Sequence, residues 1–278
     1  MQPSYTATML ALTLTLAPAA HAAIELPRPS PAASVSQRIG LTDVRVEYNS
    51  PGVKDRKIWG DLVPYGELWR TGANSATRIT FSRDVKVGGA DVKAGTYTLL
   101  TIPREGGKWT LVLNSDTALN GTRGYDQKKD VARAEVATAS TPKRERMTFL
   151  FADTDDDSTE LRLEWDKLAV RIPIEVPTGT QAMESVKGTA GDLSSAARYL
   201  LDENKEPERA LMLAESAVRI DPSWSNTYVL ARTQAANNQF ADAVETAKKS
   251  HELGLKAEYF FWKEDVEKSI EEWSAKAK

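Results

Sequence analysis

One short stretch, Glu67 to Thr77 (ELWRTGANSAT), gathers side chains suited to holding a ligand. Trp69 offers a large ring with a single donor, and Arg70 a planar fork of donors that matches a carboxylate or a carbonyl edge. Thr71 adds a hydroxyl, Gly72 a backbone that a Cβ would forbid, and Asn74 a residue that tolerates left-handed backbone. On a loop over a β scaffold such a group could hold a carboxylate, a sugar or a peptide edge. The same residues also make a structural corner, with Trp69 in the core and Arg70 satisfying carbonyls. A second cluster is Asp153, Asp155 and Asp157, at positions one, three and five of a calcium-loop spacing with Glu164 at position twelve. Ser158 stands where that loop wants glycine, and the flanks alternate as strands do. The cluster therefore reads first as a solvated acidic turn, with a cation site as the alternative.

What the chain lacks narrows the chemistry. It has no cysteine, so disulfides, thiol nucleophiles and cysteine-ligated metals are excluded. Of two histidines, His21 falls in a leader-like segment and His251 on a helical pattern, which leaves no His pair for a metal. No carboxylate pair for glycoside hydrolysis is singled out by spacing. No cofactor is expected. Net charge is −3, with residues 178–278 at −4 (13 basic, 17 acidic) and the rest at +1, and neither half offers a nucleic-acid or polybasic membrane surface.

Residues 1–23 contain no Lys, Arg, Asp or Glu, and residues 9–17 form a short apolar run ahead of Ala20-His21-Ala22. This pattern predicts a signal peptide over residues 1–22, and hence a soluble periplasmic or secreted protein. The run is too short for a membrane span.

The periodicity of the remainder divides it in two. Val44, Val46 and Tyr48 alternate with polar residues, as do Met147, Phe149 and Phe151, Leu161, Leu163 and Trp165, and Val170, Ile172, Ile174 and Val176. Gly88-Gly89, Gly106-Gly107 and Asn120-Gly121 punctuate them. Half-buried antiparallel strands are expected, forming an all-β sandwich or flattened barrel over residues 35–177 after a linker at 23–34. Pro173 predicts an edge position for the last strand. Residues 178–190 are small, polar and glycine-containing, and read as a second linker. Residues 191–278 are helical in period. There Ala210, Ala214 and Ala217 recur as Ala243, Ala247 and Ser250, 33 residues on, and Pro222 stops the first unit. This helical domain resembles the tetratricopeptide family, without that repeat's usual Trp and Leu-Gly pair.

A longer resemblance covers the β part. Residues 51–60 (PGVKDRKIWG), Val63-Pro64-Tyr65-Gly66, Trp69 to Asn74, Ala94-Gly95-Thr96-Tyr97-Thr98-Leu99 and Gly124-Tyr125-Asp126 stand in one order. Together they resemble the bacterial family called domain of unknown function 2911. The resemblance implies an exported envelope protein, sometimes with a helical tail, and implies no particular activity. Two readings follow. In the first, the protein is a non-catalytic binding module, with Trp69, Arg70, Thr71, Asn74, Tyr125 and Asp126 as ligand residues and the tail docking a protein or peptide. In the second, it is a hydrolase on glycan or peptide, with Arg70 as electrophilic clamp and Asp126 as general base.

Overall fold

The computed structural model describes residues 26–203 and 206–277. The expected leader at residues 1–22 lies outside them. Nine strands follow: β1 (Ala32–Ile39), β2 (Thr42–Asn49), β3 (Thr77–Phe81), β4 (Val85–Val87), β5 (Ala90–Val92), β6 (Gly95–Ile102), β7 (Trp109–Asn114), β8 (Asp130–Ala152) and β9 (Ser158–Glu175). They form one antiparallel sheet in the order β1-β2-β3-β6-β7-β8-β9-β4-β5. The first strand begins at Ala32, inside the expected 23–34 linker, because Ala32 and Ala33 already pair with Asn49 and Tyr48.

Two very long strands shape this sheet. β8 pairs with β7 through its first residues and with β9 thereafter, and its register with β9 shifts on either side of Arg144. Such irregularities bend a strand and increase its twist. The sheet thereby curls until Tyr48 of β2 meets Phe149 of β8 edge-on, with ring centroids 5.0 Å apart. The alternating residues then share a single core, in which Val44, Val46, Ile79, Leu99, Leu161 and Leu163 are buried. Each such side chain contributes about 1.5–3 kcal/mol of burial free energy. The sheet is not closed; beyond the end of β2, Gly52 makes only an isolated bridge to Arg146.

Pro173 corrects one expectation. β9 is an interior strand, yet its ladder with β8 ends at the Ala137–Arg171 pair, while Glu175 and Ile174 pair with β4 on the other side. Proline is accommodated because its strand is one-sided just there.

Five helices complete the chain: α1 (Thr178–Asp202), α2 (Pro207–Ile220), α3 (Trp224–Ala236), α4 (Phe240–Gly254) and α5 (Lys263–Lys276). The expected linker at 178–190 is instead the first half of α1. Gly179, Gly188 and Gly191 lower helix propensity there, but a docked first turn overrides them. Thr178 Oγ1 donates to the Asp156 carbonyl, Thr42 Oγ1 to Gln181 Oε1 at 3.0 Å, and Gln181 Nε2 to the Asp84 carbonyl at 3.2 Å. Residues 182–189 are exposed throughout, including Met183 and Val186.

Beyond them, Ala190, Ser194 and Ala197 turn inward against the following helices. Ala210, Ala214 and Ala217 of α2 are all buried, as are Ala243, Ala247 and Ser250 of α4. Small side chains at these matching offsets let the helices approach closely. Phe260, Trp262 and Trp273 close the far end. Among the described residues no helix is long and apolar enough to cross a membrane.

Candidate functional site

The chain between β2 and β3, from Ser50 to Ala76, contains no strand or helix of its own. Loops of that length inside a compact domain are uncommon and usually functional. At Trp69 the loop runs briefly as a strand: the Trp69 N–H donates to the Thr101 carbonyl at 2.7 Å, and the Thr101 N–H to Trp69 O at 3.0 Å. Neighbouring residues of such a segment point to opposite faces. Leu68 accordingly joins Leu100, Val112, Leu119 and Tyr125 on the outer face of β6 and β7, whereas Trp69 enters the core. There it stacks on Trp165 at 6.1 Å and meets Trp59 edge-on at 5.8 Å. Trp59 also contacts Trp109, so four indoles gather under the loop. The indole nitrogens of Trp59 and Trp165 are buried without a partner.

Thr71 is the strained residue of the corner. It is fully buried with φ +56°, a left-handed conformation that a β-branched residue rarely adopts. Such a conformation costs about 1–3 kcal/mol and persists only where neighbours over-determine it. Here Thr71 Oγ1 donates to Trp69 O and lies 3.1 Å from Thr101 Oγ1, while Thr77 Oγ1 donates to Thr71 O at 2.7 Å. Gly72 serves close approach rather than special backbone. A Cβ there would sit 3.0 Å from Thr77 Oγ1 and 3.4 Å from Asn49 O.

Arg70 takes the opposite side from Trp69. Its guanidinium reaches the loop that follows β7, with Nη1 3.7 Å from where a Cβ on Gly121 would stand. Its Nε is buried and makes no hydrogen bond. Among the described residues it is the only charged side chain with a buried polar atom left unpartnered. A buried donor without an acceptor costs about 1–3 kcal/mol, and more when charged.

Tyr125 belongs to the same outer cluster. Its hydroxyl donates to Asp130 Oδ2 at 2.6 Å, while Asp130 Oδ1 accepts from Asn114 Nδ2 at 2.8 Å and the carboxylate pairs with Arg133. Burial, with Asp130 beside it, pushes the Tyr125 phenol up to about 12. Because the folded value lies above the unfolded one, this loop loses stability as pH rises from the ordinary tyrosine value of 10 through about 12. Subtracting the alkaline titration spectrum of Tyr125→Phe from that of the wild type should therefore isolate a midpoint near 12. Asp130→Asn should bring that midpoint down. A Tyr125 midpoint at 10 in the folded protein would refute this arrangement.

The other expected residues are placed apart or occupied. Asp126 Oδ1 accepts the Lys128 N–H at 2.9 Å, capping the short 3-10 turn Gln127–Lys129. Asn74 points elsewhere: its side-chain nitrogen donates to the Ser30 carbonyl and to Asn49 Oδ1, pinning the corner to the end of β2. The corner therefore divides three ways. Trp69 and Thr71 face the core, Asn74 faces β2, and Arg70 and Tyr125 meet the 115–126 loop on the outer face. Gly121 and Asp130 join that last group, Gly121 beside Arg70 and Asp130 on Tyr125. Only the Asn120-Gly121 turn signal pointed to any of them in the sequence.

The acidic run is a turn. Asp155 Oδ1 accepts the N–H groups of Asp157 and Ser158, which hold its carboxyl below the usual range, and Asp153 pairs with Arg162. Glu164 is paired with Arg144. Among the described residues no group of three or more acidic or histidine side chains is placed to hold a metal ion. His251 Nε2 lies 2.9 Å from Glu267 on the helical tail.

Fold and site together define a β domain with a strained, arginine-bearing corner, carried ahead of a helical array. The chain belongs to the family described as protein of unknown function DUF2911, whose model matches residues 30–174, more than half its length. No curated protein and no solved structure matches the chain.

Proposed function

We propose that this is an exported, non-catalytic binding protein, in which the β domain recognises a ligand at the Arg70 corner and the helical tail docks a protein or peptide. The observation that carries the reading is the unpartnered Arg70 guanidinium beside a strained Thr71. A fold that holds both at a cost to its own stability is organised for something else to arrive. Export rests on the leader-like residues 1–22. The repeated buried positions of α2 and α4 support a tetratricopeptide-like tail, an architecture whose stacked pairs present extended surfaces to partners. The hydrolase reading is less supported, since its base, Asp126, already accepts the Lys128 amide.

The test is a thermal-shift screen of the mature chain against fractionated envelope metabolites, run in parallel on Arg70→Gln. A ligand of the corner raises the Tm of the wild type in a concentration-dependent way and leaves the variant unmoved. Equal shifts in both proteins would remove Arg70 from the site. Turnover of the stabilising compound would overturn the non-catalytic reading.

A further inference from the structure

The loop after β7 carries the chain's single Asn-Gly pair, Asn120-Gly121. With no Cβ on the second residue, its peptide nitrogen can approach the asparagine side-chain carbonyl more freely than in any other pairing. How the two groups are held decides whether they react. Asn49, Asn74, Asn114, Asn226 and Asn237 all have side-chain amides engaged in hydrogen bonds. Asn238 does not, but a bulky Gln239 follows it. Asn120 is exposed, and neither its amide nor the Gly121 N–H has a partner among the described residues.

Both sides of this turn are fixed. Leu119 is buried against Leu100 and Val112, Thr98 Oγ1 donates to the Asp116 carbonyl at 2.7 Å, and Tyr125 is tied to Asp130. Gly121 itself is buried with φ +83°, a conformation that suits only glycine well. The charge beside it is positive: Arg70 Nη1 lies 3.7 Å from where a Cβ on Gly121 would stand, and no carboxylate pairs with that guanidinium among the described residues. A fixed cation next to a buried peptide group favours the loss of its proton and the oxyanion that forms on attack.

We propose that Asn120 is a site of self-modification, at which the folded chain converts the Asn120-Gly121 linkage through a succinimide, promoted by the charge of Arg70. Gly121 N gives up its proton and bonds to Asn120 Cγ. The Cγ–Nδ2 bond breaks, and Nδ2 takes a proton and leaves as ammonia. Water then opens the ring at either carbonyl, which yields aspartate or isoaspartate with no change of oxidation state. The loop gains a carboxylate one residue from an arginine that lacks a partner. In the isoaspartate product the main chain also lengthens by one methylene where Arg70 approaches it. This conversion needs no ligand and stands apart from the binding reading.

The test incubates the mature full-length chain in its folded state and follows the tryptic peptide Trp109–Arg123 by mass spectrometry with fragmentation. That peptide also contains Asn114, buried and hydrogen-bonded, as an internal control. Asn120 is expected to convert, with release of an equal amount of ammonia, while Asn114 stays intact. Arg70→Gln should slow the conversion by about twofold to fivefold, the range for one partly exposed charge contact, and Arg70→Lys should restore most of the rate. In urea, where the loop and Arg70 are no longer held together, the wild type and both variants should convert at one rate. Circular dichroism and Tm of each variant confirm that the comparison is made on folded protein.

An intact Asn120 in the folded protein, after the unfolded chain has converted, would overturn the proposal. Equal folded-state rates in wild type and Arg70→Gln would overturn the role given to Arg70.

Discussion

Truncating Trp165 to alanine is expected to destabilise the β domain by about 3–5 kcal/mol, the range for removing a buried indole. The side chain is 1% exposed and touches Trp59 at 5.7 Å and Trp69 at 6.1 Å. Its loss opens a cavity beneath the very loop that carries Arg70. Two half-buried indoles would lose a wall, and the Ser50–Ala76 loop, which has no strand or helix of its own, would be held by its separate hydrogen bonds to the sheet alone. Against a typical total stability of about 5–15 kcal/mol, this is a large fraction. Urea unfolding followed by near-ultraviolet circular dichroism should show a lower midpoint with an unchanged slope. The far-ultraviolet signal of the helices should persist to the wild-type midpoint, because their apolar clusters contain no residue of the sheet. Trp165→Phe should cost much less, for it keeps most of the ring contact and removes an indole N–H that has no acceptor. Equal losses for alanine and phenylalanine would show that ring packing is not what holds the corner.

The second large effect is expected at Gly40, in the turn between β1 and β2. Its φ is +50°, and a Cβ there would stand 2.1 Å from Thr178 Oγ1 and 2.6 Å from the Asp156 carbonyl. Three segments meet at this point: the β1–β2 turn, the acidic turn and the start of α1. Gly40→Val adds the cost of left-handed backbone to that of overpacking, together about 2–5 kcal/mol. The structure yields most easily at the first turn of α1, where the obstructing atom is a side chain. Amide exchange at Gln181 and its neighbours should therefore accelerate before that of the strands. Adding Thr178→Ala to Gly40→Ala should restore part of the lost stability. If the double variant is no better than Gly40→Ala alone, the close approach to Thr178 is not the cause.

The β architecture was legible because its signals are local. Period-two alternation marks Val44, Val46 and Tyr48 as one face, and glycine pairs mark the turns, without reference to the rest of the chain. α1 was misread for the same reason. Its glycines are a local signal, whereas the contacts that outweigh them reach from Gln181 back to Thr42 and Asp84. The site shows the same limit more sharply. Trp69 and Arg70 are plausible binding residues by type, but their division between core and outer face depends on pairing with Thr101. The isolation of Arg70 depends on a loop fifty residues further on. Asn74 and Asp126 were grouped with Arg70 because they are polar and close to family motifs. Asp126 instead caps local backbone, the ordinary use of such a residue, and Asn74 ties the corner to Ser30 and Asn49.

An open sheet has two free margins, and each margin is a template on which a second chain can add a strand. The net charge of −3 gives little electrostatic protection against such self-association. Here the geometry supplies it. At one margin β5 is three residues long and leaves little to copy. At the other, β1 lies against β8, and the Arg146 guanidinium donates to the carbonyls of Pro29 and Ser50, closing off the approach at that end. The curl that gathers the core thus also limits the run of unpaired backbone that a neighbouring molecule could copy.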